Sequence, residues 1–185
     1  MIITNLGLSG IRFIHSDPIN DERGCFRTTY NREEFEKAGI PTNWILENRS
    51  YNKHINTMRG LHFQTGEFAQ AKLISVLEGA IIDIAVDIRE DSPTYGQYER
   101  VLLMETVPMS LYIPRGFAHG YITTVEHTEV EYKVDNVYSP EHESGLRFDD
   151  SDLAINLSID FLGDCDSIMS EKDKSWGNFK DLKGK

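Results

Sequence analysis

The segment TMRGLHFQ, residues 57–64, sets Arg59 and His62 three residues apart, just ahead of an AKLISVL segment that carries Lys72. A second histidine, His119, follows a turn at 114–116 in IPRGFAHG, residues 113–120. A neutral imidazole near pH 7 is a competent general base, and a nearby cation stabilises an oxyanion. His62 and Lys72 therefore suit removal of a proton next to a carbonyl. Tyr132, in EVEYKV, offers a phenol that can return a proton to the face opposite the base. Asp173, in SEKDK, can orient His62 and stabilise its charged form, as carboxylates do for catalytic imidazoles. Taken one at a time these residues have plainer readings. His62 would be a buried hydrogen-bonded histidine, Lys72 a solvated strand-edge side chain, Tyr132 an ordinary strand tyrosine and Asp173 a surface charge in a polar tail. The segment that His62 shares with Arg59 and Gln64 favours the chemical reading.

Two histidines on neighbouring strands of a small barrel also suggest a metal site, as in the cupins. A metal cupin's first motif supplies two histidines flanking one residue and a carboxylate downstream. Here Gln64 stands at the second histidine position, and the stretch 68–72, ending in Lys72, takes the carboxylate's place. An amide is a poor substitute for imidazole, and an ammonium repels a dication. The expectation is a barrel cavity lined by His62, Lys72 and His119 that holds no metal.

These groups need a rigid frame. AKLISVL and AIIDIAVDI are β-branched segments separated by a turn at Glu78-Gly79. In the second, Ile82, Ile84, Val86 and Ile88 share one face, and Ile81, Asp83, Ala85 and Asp87 share the other. One face is expected in the core and the other against polar groups. VLLME, SLYI, YITTV and TEVEYKV continue the series, with turns at 106–108 and 126–127. One helix is expected after Asn31, with Glu34 completing a capping box, Phe35 as its apolar contact and Gly39 closing it. The fold class is all-β: an antiparallel jelly-roll barrel with a few short helices.

At 185 residues, with no repeat or linker, the chain is expected to be one domain, 1–185. A net charge of −11 repels nucleic-acid backbones. No apolar run reaches the roughly 20 residues of a membrane span, and the start, MIITNLGLSG, lacks the pattern of a signal peptide. Cys25 and Cys165 read as reduced thiols, which favours the cytoplasm. Neither nucleic acid nor membrane is expected as a partner.

Eight strings in this order resemble the dTDP-4-dehydrorhamnose 3,5-epimerase family over nearly the whole chain. They are DERGCF (21–26), NRS (48–50), RGLHFQ (59–64), QAKL (70–73), DIAVDIREDSPTYG (83–96), IPRGFAHGY (113–121), EYKVDNVYSPEHESG (131–145) and SEKD (170–173). The resemblance implies a metal-independent isomerase that inverts C3, C5 or both of a nucleoside-diphosphate 4-keto-6-deoxyhexose without a cofactor. It implies that His62 is the base, Asp173 its partner, Tyr132 the acid and Lys72 the stabiliser of the enolate oxygen. His119 would lie near the sugar, and Arg59 would meet the diphosphate together with Arg23 from the other subunit of a homodimer. Phe26 and Tyr138 would pack near the nucleotide, with Asn48 and Gln64 also among the substrate-binding positions. The chain departs from the family pattern at Thr28 and Leu46, where polar residues are usual, and at INLSIDF (155–161), which replaces Trp-Pro. The first two substitutions predict weak discrimination for thymine. The alternatives are a 3-epimerase only, a related keto-sugar isomerase, or a non-catalytic sugar-binding barrel.

Overall fold

The computed structural model describes residues 1–8, 10–157 and 167–182. Cys165 and the last four residues of INLSIDF lie outside the described residues, while Cys25 is an exposed free thiol. Along the chain come β1 (Ile2–Asn5), β2 (Arg12–His15), β3 (Ile19–Asp21), β4 (Gly24–Phe26), α1 (Arg32–Lys37), β5 (Leu46–Asn52) and β6 (Met58–Gln64). They are followed by β7 (Lys72–Glu78), β8 (Ala80–Asp87), β9 (Tyr98–Met104), β10 (Met109–Ile113), β11 (Phe117–Thr123), β12 (Thr128–Val134), β13 (Glu143–Gly145) and α2 (Glu171–Lys174).

One sheet runs β1-β2-β10-β7-β12-β5 and the other β13-β6-β11-β8-β9. Among the described residues all the pairings between these strands are antiparallel. From β5 to β12 the chain changes sheet at every connection but one, the β8–β9 hairpin. Orders β5-β12-β7-β10 and β6-β11-β8-β9 are those of a jelly roll. The expected turn at Glu78-Gly79 is therefore a corner that carries the chain from one sheet to the other. The ribbon β3–β4 pairs only with itself among the described residues.

Apolar side chains fill the space between the sheets, including Ile74, Ile81, Leu103, Leu111 and Val130. Helix α1 covers the outer face of the first sheet. Asn31 Oδ1 accepts from the Glu34 N–H at its start, and Phe35 is fully buried against Ile14, Leu73 and Tyr112. On the second sheet, Phe148, Leu153 and Ile155 close over Leu61, Ile84 and Val86. This second cover corrects the expectation for β8. Both its faces are buried, because the segment after β13 packs on the side opposite the barrel interior. The alternation instead places Ile81, Asp83 and Ala85 inside the barrel.

A bulge sets the geometry of RGLH. His119 lies opposite His62, and Tyr121 lies opposite Arg59, so three residues of β6 span two of β11. Residues three apart in a regular strand point to opposite faces, but the extra residue brings Arg59 and His62 to the same cavity. Gly60 makes this possible. Its φ is +121°, and a Cβ there would stand 2.5 Å from Gly120 Cα and 2.7 Å from the His119 carbonyl oxygen. Gly60→Ala should lower stability by about 1–3 kcal/mol, through the positive φ and the overpacking, as read from a urea unfolding midpoint. Wild-type stability in that variant would show that β6 and β11 do not approach backbone to backbone.

Candidate active site

A cavity of about 510 Å³ opens at one end of the barrel, with walls from both sheets. His62 on β6 and His119 and Tyr121 on β11 form one wall, while Lys72 on β7 and Tyr132 on β12 form the other. Asp173 reaches the same cavity from α2.

The sequence SEKD builds the partner of His62. Ser170 caps α2 by accepting the Asp173 N–H at 3.1 Å, which frees the Asp173 carboxylate to turn inward. Its Oδ1 accepts from His62 Nε2 at 2.6 Å, and the carboxylate is almost fully buried. The proton thus sits on Nε2, and Nδ1 remains as the basic nitrogen. Burial holds the His62 pKa below its ordinary value, with Lys72 acting the same way, although the bond to Asp173 opposes them. His62 is accordingly neutral near pH 7.

Lys72 extends into the cavity from the opposite sheet and donates to the His62 carbonyl oxygen at 3.3 Å. Burial brings its pKa down to about 8, against the pull of Asp83 and Glu143. Asp83 is fully buried, and a lone carboxylate there would cost several kcal/mol. It accepts from His119 Nε2 at 2.8 Å through Oδ2. A cation held near neutrality beside a paired imidazole can stabilise a developing oxyanion.

Tyr132 projects from β12 between Val130 and Val134, with Ile74 beside it on β7. Burial raises its pKa, so it stays protonated through the physiological range. Among the described residues none hydrogen-bonds its hydroxyl, which leaves the phenol available to a ligand. At the mouth, Arg59 Nε donates to Asn52 Oδ1 at 2.8 Å, and the Tyr121 hydroxyl meets Ser50 Oγ at 2.7 Å. The bond to Asn52 fixes the Arg59 guanidinium at the cavity wall, with its remaining N–H groups able to meet an anion.

The fold thus gathers His62, Asp173, Lys72, Tyr132, His119 and Arg59 around one cavity. Five other expected residues do not line it. Asn48 lies opposite Tyr132 on the edge strand β5, one step beyond Ser50 along the inner face. Tyr138 sits at a rim, donating to Glu143 at 2.5 Å. Arg23 and Phe26 lie on the exposed β3–β4 ribbon, with Arg23 paired to Asp21. Gln64 is a structural clamp: its amide nitrogen donates to the Phe68 and Val137 carbonyls at 2.7 and 3.0 Å. Its oxygen accepts from the Ser139 N–H at 2.6 Å. Gln64 thus turns both amide atoms to backbone groups and does not line the cavity, and among the described residues no three His, Cys, Asp or Glu side chains are gathered as ligands. This donor set does not fit a transition metal.

Asp83, Tyr121, Ser50 and Trp176 belong to the site's neighbourhood but were not singled out from the sequence. Tyr121 carries a usable signal, because it lies on the same face of β11 as His119, which the sequence places in the cavity; Asp83 carries none, because its face of β8 reads as the outward one.

The comparisons with known proteins agree with this geometry. The family model for dTDP-4-dehydrorhamnose 3,5-epimerase matches residues 5–181. A dTDP-4-dehydrorhamnose 3,5-epimerase of Methanothermobacter thermautotrophicus is 38% identical over 169 residues, covering 91% of this chain and 89% of its own. The crystal structure of the enzyme of that name from Elizabethkingia anophelis superposes with a TM-score of 0.91 at 39% identity, covering 98% of this chain and 97% of its own. A dTDP-6-deoxy-D-glucose-3,5-epimerase from Legionella pneumophila, solved in complex with dTDP-4-keto-L-rhamnose, gives a TM-score of 0.89 at 33% identity. That match covers 97% of this chain and 93% of its own. With a jelly roll, a histidine–aspartate pair inside it and a family match spanning nearly its whole length, this chain belongs to the dTDP-4-dehydrorhamnose 3,5-epimerase family.

Proposed function

We propose that this chain is a sugar-nucleotide epimerase that inverts C3, C5 or both of a dTDP-4-keto-6-deoxyhexose. The observation that carries the reading is the opposition of two proton-transfer groups: His62, backed by Asp173, on one sheet and Tyr132 on the other. His62 Nδ1 takes the proton from the carbon next to the C4 ketone, and the electron pair moves to the ketone oxygen. The Lys72 ammonium stabilises that oxygen, and Tyr132 delivers a proton to the opposite face of the same carbon. The resulting phenolate takes a proton from solvent, and His62 releases its own. The ketone acidifies the C–H bonds on both sides of it, so one base–acid pair can serve C3 and C5 in turn.

The dTDP-sugar bound by the Legionella pneumophila protein supports the substrate class. Leu46, 40% exposed on the edge strand, and Thr28 support relaxed selection of the base. The exposed ribbon, with Ile19 and Phe26 at 70% and 69%, supports a homodimer in which Arg23 and Phe26 complete the partner's site, with Asn48 and Tyr138 meeting the nucleotide at the rim. A nucleotide-sugar substrate and the free thiol of Cys25 support a cytoplasmic setting, with neither nucleic acid nor membrane as a partner. Among the described residues no helix is long and apolar enough to cross a membrane.

The test is turnover of dTDP-4-keto-6-deoxyglucose in deuterium oxide. The product should carry one solvent deuteron for each inverted centre, at C3 alone or at C3 and C5. His62→Ala should lose exchange and inversion together, by at least about 10²-fold. Near wild-type exchange in that variant would place the base elsewhere.

The pH dependence follows from the shifted groups. His62 is basic only above its lowered pKa, so kcat/KM should rise through an acid limb lying below pH 6.5. Lys72 is cationic only below its own pKa, so activity should fall through a basic limb near pH 8. Lys72→Met should remove the basic limb and lower kcat by roughly 10²-fold to 10³-fold. A basic limb unchanged in that variant would mean that Lys72 does not hold the enolate oxygen.

A further inference from the structure

The C-terminal segment holds an aromatic residue that the mechanism above leaves unused. The Trp176 indole N–H donates to Asp173 Oδ1 at 3.3 Å, the same oxygen that accepts from His62. Its ring also meets the His62 imidazole edge to face, with centroids 5.9 Å apart at 74°. We propose that Trp176 is a positioning residue of the His62–Asp173 pair, fixing the carboxylate by its N–H and closing one side of the imidazole with its ring. The inference rests on the reading of His62 as the base.

Three separate features keep the ring there. Gly145 lies opposite His62 in the β13–β6 pairing, and a Cβ on it would stand 2.5 Å from the indole. Gly145 is thus the floor on which the ring rests. Gly177 is tied to the same stretch by its bridge to Leu146 and by the Arg147 N–H, which donates to its carbonyl oxygen at 3.2 Å. The Lys172 ammonium lies 5.5 Å from the ring centroid while donating to Glu143 at 2.6 Å. A carboxylate oxygen that accepts from two donors on different elements cannot swing freely, so the plane of the imidazole is fixed with it. The ring also excludes water from one side of His62. The charged groups facing His62 are Asp173 from α2, Lys72 from β7 and Glu143 from β13.

Two variants separate the N–H from the ring. Trp176→Phe keeps most of the packing and removes the donor, leaving Asp173 with more charge to bind the imidazolium. Trp176→Leu also opens the imidazole to water. Both changes favour protonated His62, so its midpoint in an NMR titration of the free protein should move up, by about half a pH unit in the phenylalanine variant and further in the leucine variant. In the phenylalanine variant kcat should fall roughly tenfold with KM within about twofold of wild type. A His62 midpoint and a kcat that match wild type in Trp176→Phe would overturn the proposal, and that variant decides alone if Trp176→Leu does not fold. Exchange in His62→Ala tests the underlying reading separately. If His62→Ala retains exchange, the base assignment fails; if it loses exchange while Trp176→Phe behaves as wild type, only the role of Trp176 fails.

Discussion

The 2.6 Å bond between His62 and Asp173 joins residues 111 positions apart, and most of the architecture serves to make it. His62 is aimed inward by the bulge at Gly60, which exists because two glycines let β6 and β11 touch backbone to backbone. Asp173 is aimed inward by a four-residue helix too short to be stable alone. That helix is held by its Ser170 cap, and Met169 just ahead of it packs on the apolar cluster at the outer face of the second sheet. The bond matters chemically because desolvation and the carboxylate act in opposite directions on the imidazole. Burial wins, so the imidazole stays unprotonated at neutral pH, yet the carboxylate remains in place to stabilise its protonated form.

A barrel of two facing sheets also answers the stereochemical demand of inversion. One side chain cannot both remove a proton and restore it on the opposite face of a ring that is held still. In this jelly roll the His62 imidazole stands on the wall that contains β6 and the Tyr132 phenol on the wall that contains β12. Lys72 lies on the same wall as Tyr132, two residues before the Ile74 that pairs with it. The Lys72 ammonium and the Tyr132 phenol are therefore fixed relative to each other by one β-ladder. The same low-dielectric interior that depresses Lys72 strengthens its attraction for an enolate oxygen.

Much of this was legible from residues alone. The strand series, the capped helix at Asn31 and the cavity group of His62, Lys72 and His119 follow from pattern and chemistry. Three features were hidden for definite reasons. The shared face of Arg59 and His62 contradicts strand periodicity and becomes readable only with the bulge. The double burial of β8 depends on a covering segment more than 60 residues further along the chain, which no local alternation can report. Trp176 carries no motif of its own, and its role comes from the missing Cβ of Gly145. Arg23, Phe26, Asn48 and Tyr138 entered through the family resemblance. They lie on a ribbon, an edge strand and a rim, outside the cavity of the single chain.

If His62 and Tyr132 act from opposite faces of the sugar ring, Tyr132→Phe should separate proton removal from inversion. The substitution keeps the ring's packing and removes only the proton donor. In deuterium oxide this variant should still wash deuterium into the substrate by return from His62, while inversion falls at least about tenfold relative to exchange. Inversion at the wild-type rate, or a loss of exchange equal to the loss of inversion, would contradict it.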